Sequence, residues 1–407
     1  MGRRFTPPQG GDGGGPMKVI IDDKIPFIQG QAERVADEVV YLPGSKIGPD
    51  DVRDADALIV RTRTHCNRQL LEGSRVRFIA TATIGFDHLD TDYLDEAGIV
   101  WTNCPGCNAT SVAQYVRNAL IEAEREGIVK LSEASLGIVG YGHVGRAVCE
   151  SLRPYVKEIL LNDPPLLGGE GLRVKNEEFL LRQATQASPN VAERRMKDEG
   201  LRIKGEGLAI AFEEEKSGNP DTSLFTHHST FKSLADLASS CDIISFHTPL
   251  TAEGPYPTFH LANEKFFQSL KRKPLLINAA RGGVVDEAAL LDAMDKGLVR
   301  QAIIDTWEGE PAINRALLSK VFIGTPHIAG YSADGKANAT LMALRALVRW
   351  QSSLGSIDIE PMFDIQPPLA QLERTGIFYS PTSDSNQLKE SPQNFENLRG
   401  NYLLRRE

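Results

Sequence analysis

Three side chains in the second half of the chain stand just beyond the ends of short apolar runs. Arg281 follows Leu275-Leu276-Ile277-Asn278, Glu310 follows Gln301-Ala302-Ile303-Ile304-Asp305, and His327 follows Phe322-Ile323-Gly324. They supply a cation, an acid able to tune a base, and a base that works near neutral pH. Each has an ordinary alternative: a structural salt bridge, a solvated loop acid, a satisfied core histidine. A stretch far upstream raises their interest. Leu136-Gly137-Ile138-Val139-Gly140-Tyr141-Gly142-His143-Val144-Gly145-Arg146 spells G-x-G-x-x-G between an apolar run and a helical pattern. Gly140 makes the turn, Gly142 lets a pyrophosphate approach the backbone, and Gly145 packs helix on strand. The helix start offers free N–H groups to the phosphates. A second run, 158–162, ends at Asp163, roughly 20 residues on, where a dinucleotide fold sets an acid against the adenosine ribose hydroxyls.

Such residues need elements to hold them. Apolar runs at 19–22, 57–60, 78–83 and 99–101 read as strands, and 28–39 as a helix with apolar spacing at Ala32, Val35 and Ala36. A long helical pattern at 109–125, with Asn108 as its N-cap, bridges two sheet domains. Strands at 242–246, 275–278 and 301–305 alternate with helices at 233–237 and 287–294, and a further helix spans 338–350. This alternation predicts parallel sheets covered by helices, which bind ligands at the carboxyl ends of their strands. Arg61, Thr62, Arg63, Thr64 and Thr83 lie at such ends. Between Asp163 and about residue 230 the pattern lapses into a Gly- and charge-rich insert with one helix-like patch at 191–199.

With 407 residues the chain predicts two or three domains. A net charge of −9 argues against general affinity for nucleic acid. No apolar run approaches the roughly 20 residues that span a membrane. The Gly- and Pro-rich start, 1–16, lacks the apolar core of a secretory signal and reads as a disordered tail. Cys66, Cys104, Cys107, Cys149 and Cys241 form an odd, scattered set, which predicts reduced thiols and a cytoplasmic setting. Cys104 and Cys107 spell C-x-x-C without the second pair a zinc site needs, so a connecting loop is favoured over a redox site, and no metal is expected.

The chain resembles the D-isomer-specific 2-hydroxyacid dehydrogenases from Met17 to about Trp350, with an echo in 395–407. The carriers are Val60-Arg61-Thr62, Ala80-Thr81-Ala82-Thr83, Pro105-Gly106-Cys107-Asn108, Asn162-Asp163-Pro164-Pro165, Phe246-His247-Thr248-Pro249-Leu250, Trp307-Glu308-Gly309-Glu310-Pro311 and His327-Ile328-Ala329-Gly330-Tyr331. The resemblance implies an α/β fold of two doubly wound parallel-sheet domains. One is a flavodoxin-like substrate domain at 17–108, completed by 332–354. The other is a Rossmann-type NAD domain at 109–331, carrying the insert 166–230. A small C-terminal dimerisation region would follow at 355–407, shorter than in relatives, and with it a homodimer.

By the same resemblance Arg281, Glu310 and His327 are the catalytic residues. Their chemistry assigns the roles. The imidazole takes the proton of a 2-hydroxyl as hydride leaves carbon, the carboxylate favours the charged ring and fixes its tautomer, and the guanidinium grips the substrate carboxylate. NAD would meet Gly140, Gly142, His143, Val144, Gly145, Asp163, Thr248, Asp305 and Gly330. Thr62, Thr83 and Tyr331 would hold a small phosphorylated hydroxy acid, with Arg61 and Arg63 added here for its phosphate. Two alternatives stand beside this reading: a dehydrogenase acting on 3-phosphoglycerate, and a non-catalytic NAD-responsive regulator. The insert puts the adenosine side in question.

Asp163 carries a cofactor prediction. A carboxylate there accepts ribose hydrogen bonds and repels a 2′-phosphate, and Pro164-Pro165 offers no arginine in compensation. We expect kcat/KM with NAD to exceed that with NADP by roughly 100-fold, the several-kcal/mol scale of juxtaposed like charges. Equal use of the two cofactors in steady-state assays would contradict it.

Overall fold

The computed structural model describes residues 16–167, 230–353, 363, 365 and 379–407. The tail (to residue 15), the insert with its helix-like patch at 191–199 (168–229), and most of 354–378 lie outside the described residues. The chain divides into two compact units, 1–105 with 337–366, and 106–336 with 367–407.

In the first unit β1 (Lys18–Asp22), β2 (Glu38–Leu42), β3 (Ala57–Val60), β4 (Phe78–Thr81) and β5 (Val100–Thr102) form one parallel sheet in the order β2-β1-β3-β4-β5. This is the flavodoxin-like order. Its middle strands are apolar at almost every position because helices cover both faces, and β3 and β4 are buried throughout. Ile20, Leu58, Val60 and Ile79 pack with Val52, Leu71 and Leu94 beneath that cover. The predicted helix at 28–39 does not form. Gly30 turns with φ +78°, only Ala32–Arg34 makes a single 3₁₀ turn, and the β-branched pair Val39-Val40 joins β2. Ala32 and Val35 are still buried, so the apolar spacing marked burial but not helix.

The second unit carries seven strands in the order β12-β11-β10-β9-β6-β7-β8. They are β6 (Ser135–Val139), β7 (Glu158–Asn162), β8 (Thr230–Phe231), β9 (Ile243–Phe246), β10 (Leu275–Asn278), β11 (Gln301–Ile304) and β12 (Ile323–Gly324), all pairing in parallel. Strand order reverses where β6 lies beside β9, and such switch points are where open α/β sheets bind ligands. The helix Ala109–Arg125 buries Val112, Tyr115, Val116, Ala119, Leu120 and Ala123, a stripe at three- and four-residue spacing. Beside it lies the glycine-motif helix His143–Leu152.

Helix ends follow the capping rules closely. Ser233, Asn263, Asp286 and Asn314 each accept the N–H three residues on. Asn108 holds the N-cap position of its helix, but its side chain does not cap. The described C-terminal helices, Pro381–Glu390 and Phe395–Gly400, belong to the second unit and are not a layer of their own. The reason is apolar: Leu388 and Phe395 are buried in the same core as Phe246, Leu276 and Trp307.

Candidate active site

At the carboxyl end of β11 the chain buries a carboxylate. Asp305 is 1% exposed, and its Oδ1 accepts from Thr325 Oγ1 at 2.6 Å and from the Ile328 N–H at 2.8 Å. Oδ2 accepts the Ala329 N–H at 3.0 Å, while the backbone carbonyl of Asp305 takes the N–H of His327 at 2.9 Å. Burial raises its pKa; the nearby His327, the Thr325 hydroxyl and the two amides oppose that rise. The turn 325–329 is therefore folded around one acid. It leaves His327 at φ +57°, a backbone region that non-glycine residues seldom occupy and that surrounding bonds must hold.

The ring so placed meets Glu310. His327 Nδ1 lies 2.9 Å from Oε2 and 3.1 Å from Oε1. Oε1 also accepts the Trp307 N–H at 2.9 Å. Burial alone would push the Glu310 carboxyl upward. The imidazole, the Trp307 amide and the Arg399 guanidinium outweigh burial and hold it below the usual glutamate range. An ionised carboxylate only accepts, so Nδ1 carries a hydrogen, and the tautomer this selects for a neutral ring has its lone pair on Nε2. The His327 side chain keeps 27% of its surface exposed, and the pair is thus a base open on one side.

Arg281 follows β10, exposed, with Nη1 bonded to its neighbour's carbonyl, Ala280, at 2.8 Å. Its turn is tied to the Glu310 loop by backbone. A Cβ on Gly282 would collide with the Trp307 carbonyl oxygen, so only glycine allows the approach. Asn278 Nδ2 donates to the Arg281 carbonyl at 3.0 Å, and Trp307 Nε1 donates to the Thr325 carbonyl at 2.9 Å. The loops after β10, β11 and β12, and with them Arg281, Glu310 and His327, are therefore one hydrogen-bonded assembly within the second unit.

The dinucleotide motif lies in the same unit and passes a test of fit. Gly140, at φ +91°, is packed so that a Cβ would come within 2.8 Å of the His247 carbonyl, and one on Gly145 would collide with the Gly140 oxygen. Around Gly142 there is open space, and no side chain caps the helix that starts at His143, so its first N–H groups are available to an anion. His143 is exposed and Val144 half-buried there. Asp163, at the end of β7, accepts the Tyr141 N–H through Oδ2 at 2.7 Å. The hydroxyl of Thr248, just past β9, is buried without a partner among the described residues, as are Thr306 Oγ1 and His247 Nδ1. Orphaned polar groups at strand ends are what a polar cofactor satisfies. Gly330 is glycine for a different reason: a Cβ there would collide with the amide of Asn108.

In the first unit Thr62 and Arg63 are exposed past β3, and Arg61 donates to the Lys24 carbonyl at 2.8 Å. Thr83 follows β4, with its hydroxyl 2.7 Å from Thr81, which in turn lies 2.9 Å from His88 Nε2. Cys104 and Cys107 are both buried and unbonded to one another. Two arginines escaped the sequence reading. Arg399 reaches Glu310 and Tyr331. Arg405, 4% exposed, donates to the carbonyls of Ile328, Ala329 and Tyr331. The echo of family sequence in 395–407 was their only signal.

A family model described as D-isomer specific 2-hydroxyacid dehydrogenase, NAD binding domain, matches residues 202–329. Over 394 residues the chain is 46% identical to an erythronate-4-phosphate dehydrogenase of Bacteroides thetaiotaomicron, covering 96% of this chain and 97% of the relative. A protein of the same name from Porphyromonas gingivalis is 36% identical over 407 residues, covering 96% and 94%. Among solved structures, a D-lactate dehydrogenase of Treponema pallidum has a TM-score of 0.58 at 20% identity, covering 85% of this chain and 100% of that one. A glyoxylate/hydroxypyruvate reductase of Sinorhizobium meliloti gives 0.57 at 21%, covering 83% and 94%. These structures share the two-sheet fold.

Beneath the assembly, Glu287 is 5% exposed and accepts the Glu308 N–H at 2.7 Å. Burial pushes its carboxyl up to about 7; the Glu308 amide opposes this, and the charges of Glu308, Glu310 and Asp286 reinforce it. An acid raised in the folded state is protonated there while its unfolded counterpart ionises. Stability is therefore greatest below the unfolded pKa and declines as pH rises from 4.5 to about 7, with a slope of at most about 1.4 kcal/mol for each pH unit. Glu287→Gln should flatten that decline in denaturant titrations across this range; a variant with the same decline as the parent would refute it.

Proposed function

The chain belongs to the erythronate-4-phosphate dehydrogenases, a branch of the D-isomer-specific 2-hydroxyacid dehydrogenases, and on that premise we propose that it oxidises 4-phospho-D-erythronate to 2-oxo-3-hydroxy-4-phosphobutanoate with NAD, toward pyridoxal 5′-phosphate (vitamin B6). The observation that carries the chemistry is the His327–Glu310 pair, with Nδ1 held by a carboxylate at 2.9 Å and the side chain partly exposed.

Bound NAD would supply the acceptor for the hydride that leaves carbon 2. His327 Nε2 takes the proton of the 2-hydroxyl as the carbonyl forms, and Glu310 stabilises the imidazolium that results. Arg281 holds the substrate carboxylate with a fork that has donors to spare, and stabilises charge growing on the neighbouring oxygen. Gly140, Gly142, His143, Val144 and Gly145 receive the pyrophosphate. Asp163 receives the adenosine ribose, and Thr248, Asp305 and Gly330 complete the NAD contacts. Asp305 can give NAD little more than the edge of a carboxylate already holding the 325–329 turn. Tyr331 is assigned to the substrate, and Thr62, Thr83, Arg61 and Arg63 to its phosphate, where charge-assisted bonds are the strong ones. The same reading includes a homodimer and a cytoplasmic setting, the latter supported by five cysteines of which none forms a disulfide.

Substrate choice decides between readings. A site built to pair a phosphate leaves its donors unsatisfied when the phosphate is missing. The test compares kcat/KM for 4-phospho-D-erythronate, 3-phosphoglycerate and D-lactate with NAD. The four-carbon phosphate is expected to lead, with D-lactate roughly 10,000-fold behind, the scale of an unpaired polar site. A preference for either rival would replace the substrate assignment, and NAD binding without turnover on any of the three would favour a sensor.

A further inference from the structure

The helix Phe395–Gly400 sends one side chain into the candidate active site. Arg399 Nη1 lies 3.4 Å from Glu310 Oε2, the oxygen nearest the His327 ring, and Arg399 Nε donates to the Tyr331 hydroxyl at 3.3 Å. One guanidinium therefore spans the acid that orients the base and the phenol that we assign to the substrate. Its own helix is anchored by Phe395, buried in the core of the second unit. Past Tyr402, the buried Arg405 grips the carbonyls of Ile328, Ala329 and Tyr331. The C-terminal segment thus holds the His327–Tyr331 turn from behind and the Glu310 carboxylate from the side.

We infer that Arg399 is a positioning residue for the dehydrogenase reaction: it fixes the Glu310 carboxylate against His327, offsets part of its charge at the ring, and ties that setting to Tyr331. The inference rests on His327 and Glu310 being the catalytic pair. Its physics is a division of one carboxylate between two cations. Glu310 Oε2 sits 2.9 Å from the ring, so its charge favours the imidazolium that proton transfer creates. A guanidinium on the same oxygen draws off part of that field. Held at Tyr331 through Nε and at Oε2 through Nη1, the planar guanidinium keeps that oxygen from turning away from Nδ1.

Other groups face the ring from the surrounding elements. They are the carboxylate of Asp305 at the end of β11 and, acting through Glu310, the buried Glu287; on the Arg399 side stand Glu396 at 3.9 Å and Tyr331, whose ring has the Lys336 ammonium over it at 4.3 Å. Asp305 and Glu287 are held by bonds that do not involve Arg399, so their charges remain when Arg399 alone is changed. The variant therefore reports on Arg399 and not on the general field.

The test compares Arg399→Met and Arg399→Lys with the parent, measuring kcat, KM, NAD affinity and the pH dependence of kcat/KM. Arg399→Met should keep NAD affinity and lower kcat roughly 10-fold, a fraction of the worth of a positioned base. KM should rise through Tyr331. With the cation gone, Glu310 favours the charged ring more strongly, so the acid limb of the profile should move to higher pH by about half a unit to one unit. Arg399→Lys, which restores charge without the fork, should return the limb to its original place while recovering kcat only in part. An unmoved limb in Arg399→Met, or a limb that moves to lower pH, overturns the inference. So does equal damage in both variants accompanied by lost NAD affinity, which would mean a merely structural arginine. His327→Asn runs alongside: if it retains full turnover, the catalytic reading itself has failed, whereas its loss beside an unaffected Arg399→Met removes only Arg399.

Discussion

The site hangs from a buried carboxylate. Asp305 has both side-chain oxygens engaged by the turn that follows β12, and its backbone carbonyl takes the His327 amide. A charge in this position is costly unless every lone pair finds a donor, and here the donors are the backbone of the segment to be positioned. The arrangement turns the cost of burial into geometry. The turn can satisfy Asp305 in one way, and that way leaves His327 at a positive φ facing Glu310. The loop after β10 then adds Arg281 through the close approach of Gly282 to Trp307. The placement of His327, Glu310 and Arg281 is set by backbone groups and one buried acid, which leaves His327 and Arg281 partly exposed.

Much of this was legible in the sequence. Continuous apolar runs gave parallel strands because both faces of each sheet are covered, and polar residues at the ends of those runs gave the candidate sites. Gly140 and Gly145 of the dinucleotide motif were readable because their close backbone approaches admit only glycine, while Gly142 leaves open space for a phosphate. The stretch 28–39 misled because apolar spacing reports burial, and Ala32 and Val35 are buried on a turn as readily as on a helix. Asn108 stands at the N-cap position as expected, yet its side chain packs in the space beside Gly330 and does not cap its own helix.

What stayed hidden is long-range. Nothing local announces that Arg399 and Arg405 would meet Glu310 and the 328–331 carbonyls, since the partners are some 70 to 90 residues away in sequence. The pairing of His327 with Glu310 was implied by family resemblance, but the clasp that produces it was not, because Asp305 reads as the polar end of a strand. Glu287 is similar: one acid in a helical pattern, it is raised toward neutrality only by three-dimensional burial and by acids from another loop.

On the proposed mechanism His327 and Glu310 act as one unit in proton transfer. A double-mutant cycle of His327→Ala and Glu310→Gln, read as kcat with NAD and 4-phospho-D-erythronate, tests it most directly. His327→Ala should cost roughly 100- to 10,000-fold. Adding Glu310→Gln to it should cost little more, because an acid whose work passes through the ring has nothing left to act on. Losses that simply multiply, with Glu310→Gln equally damaging whether or not the imidazole is present, would contradict the account.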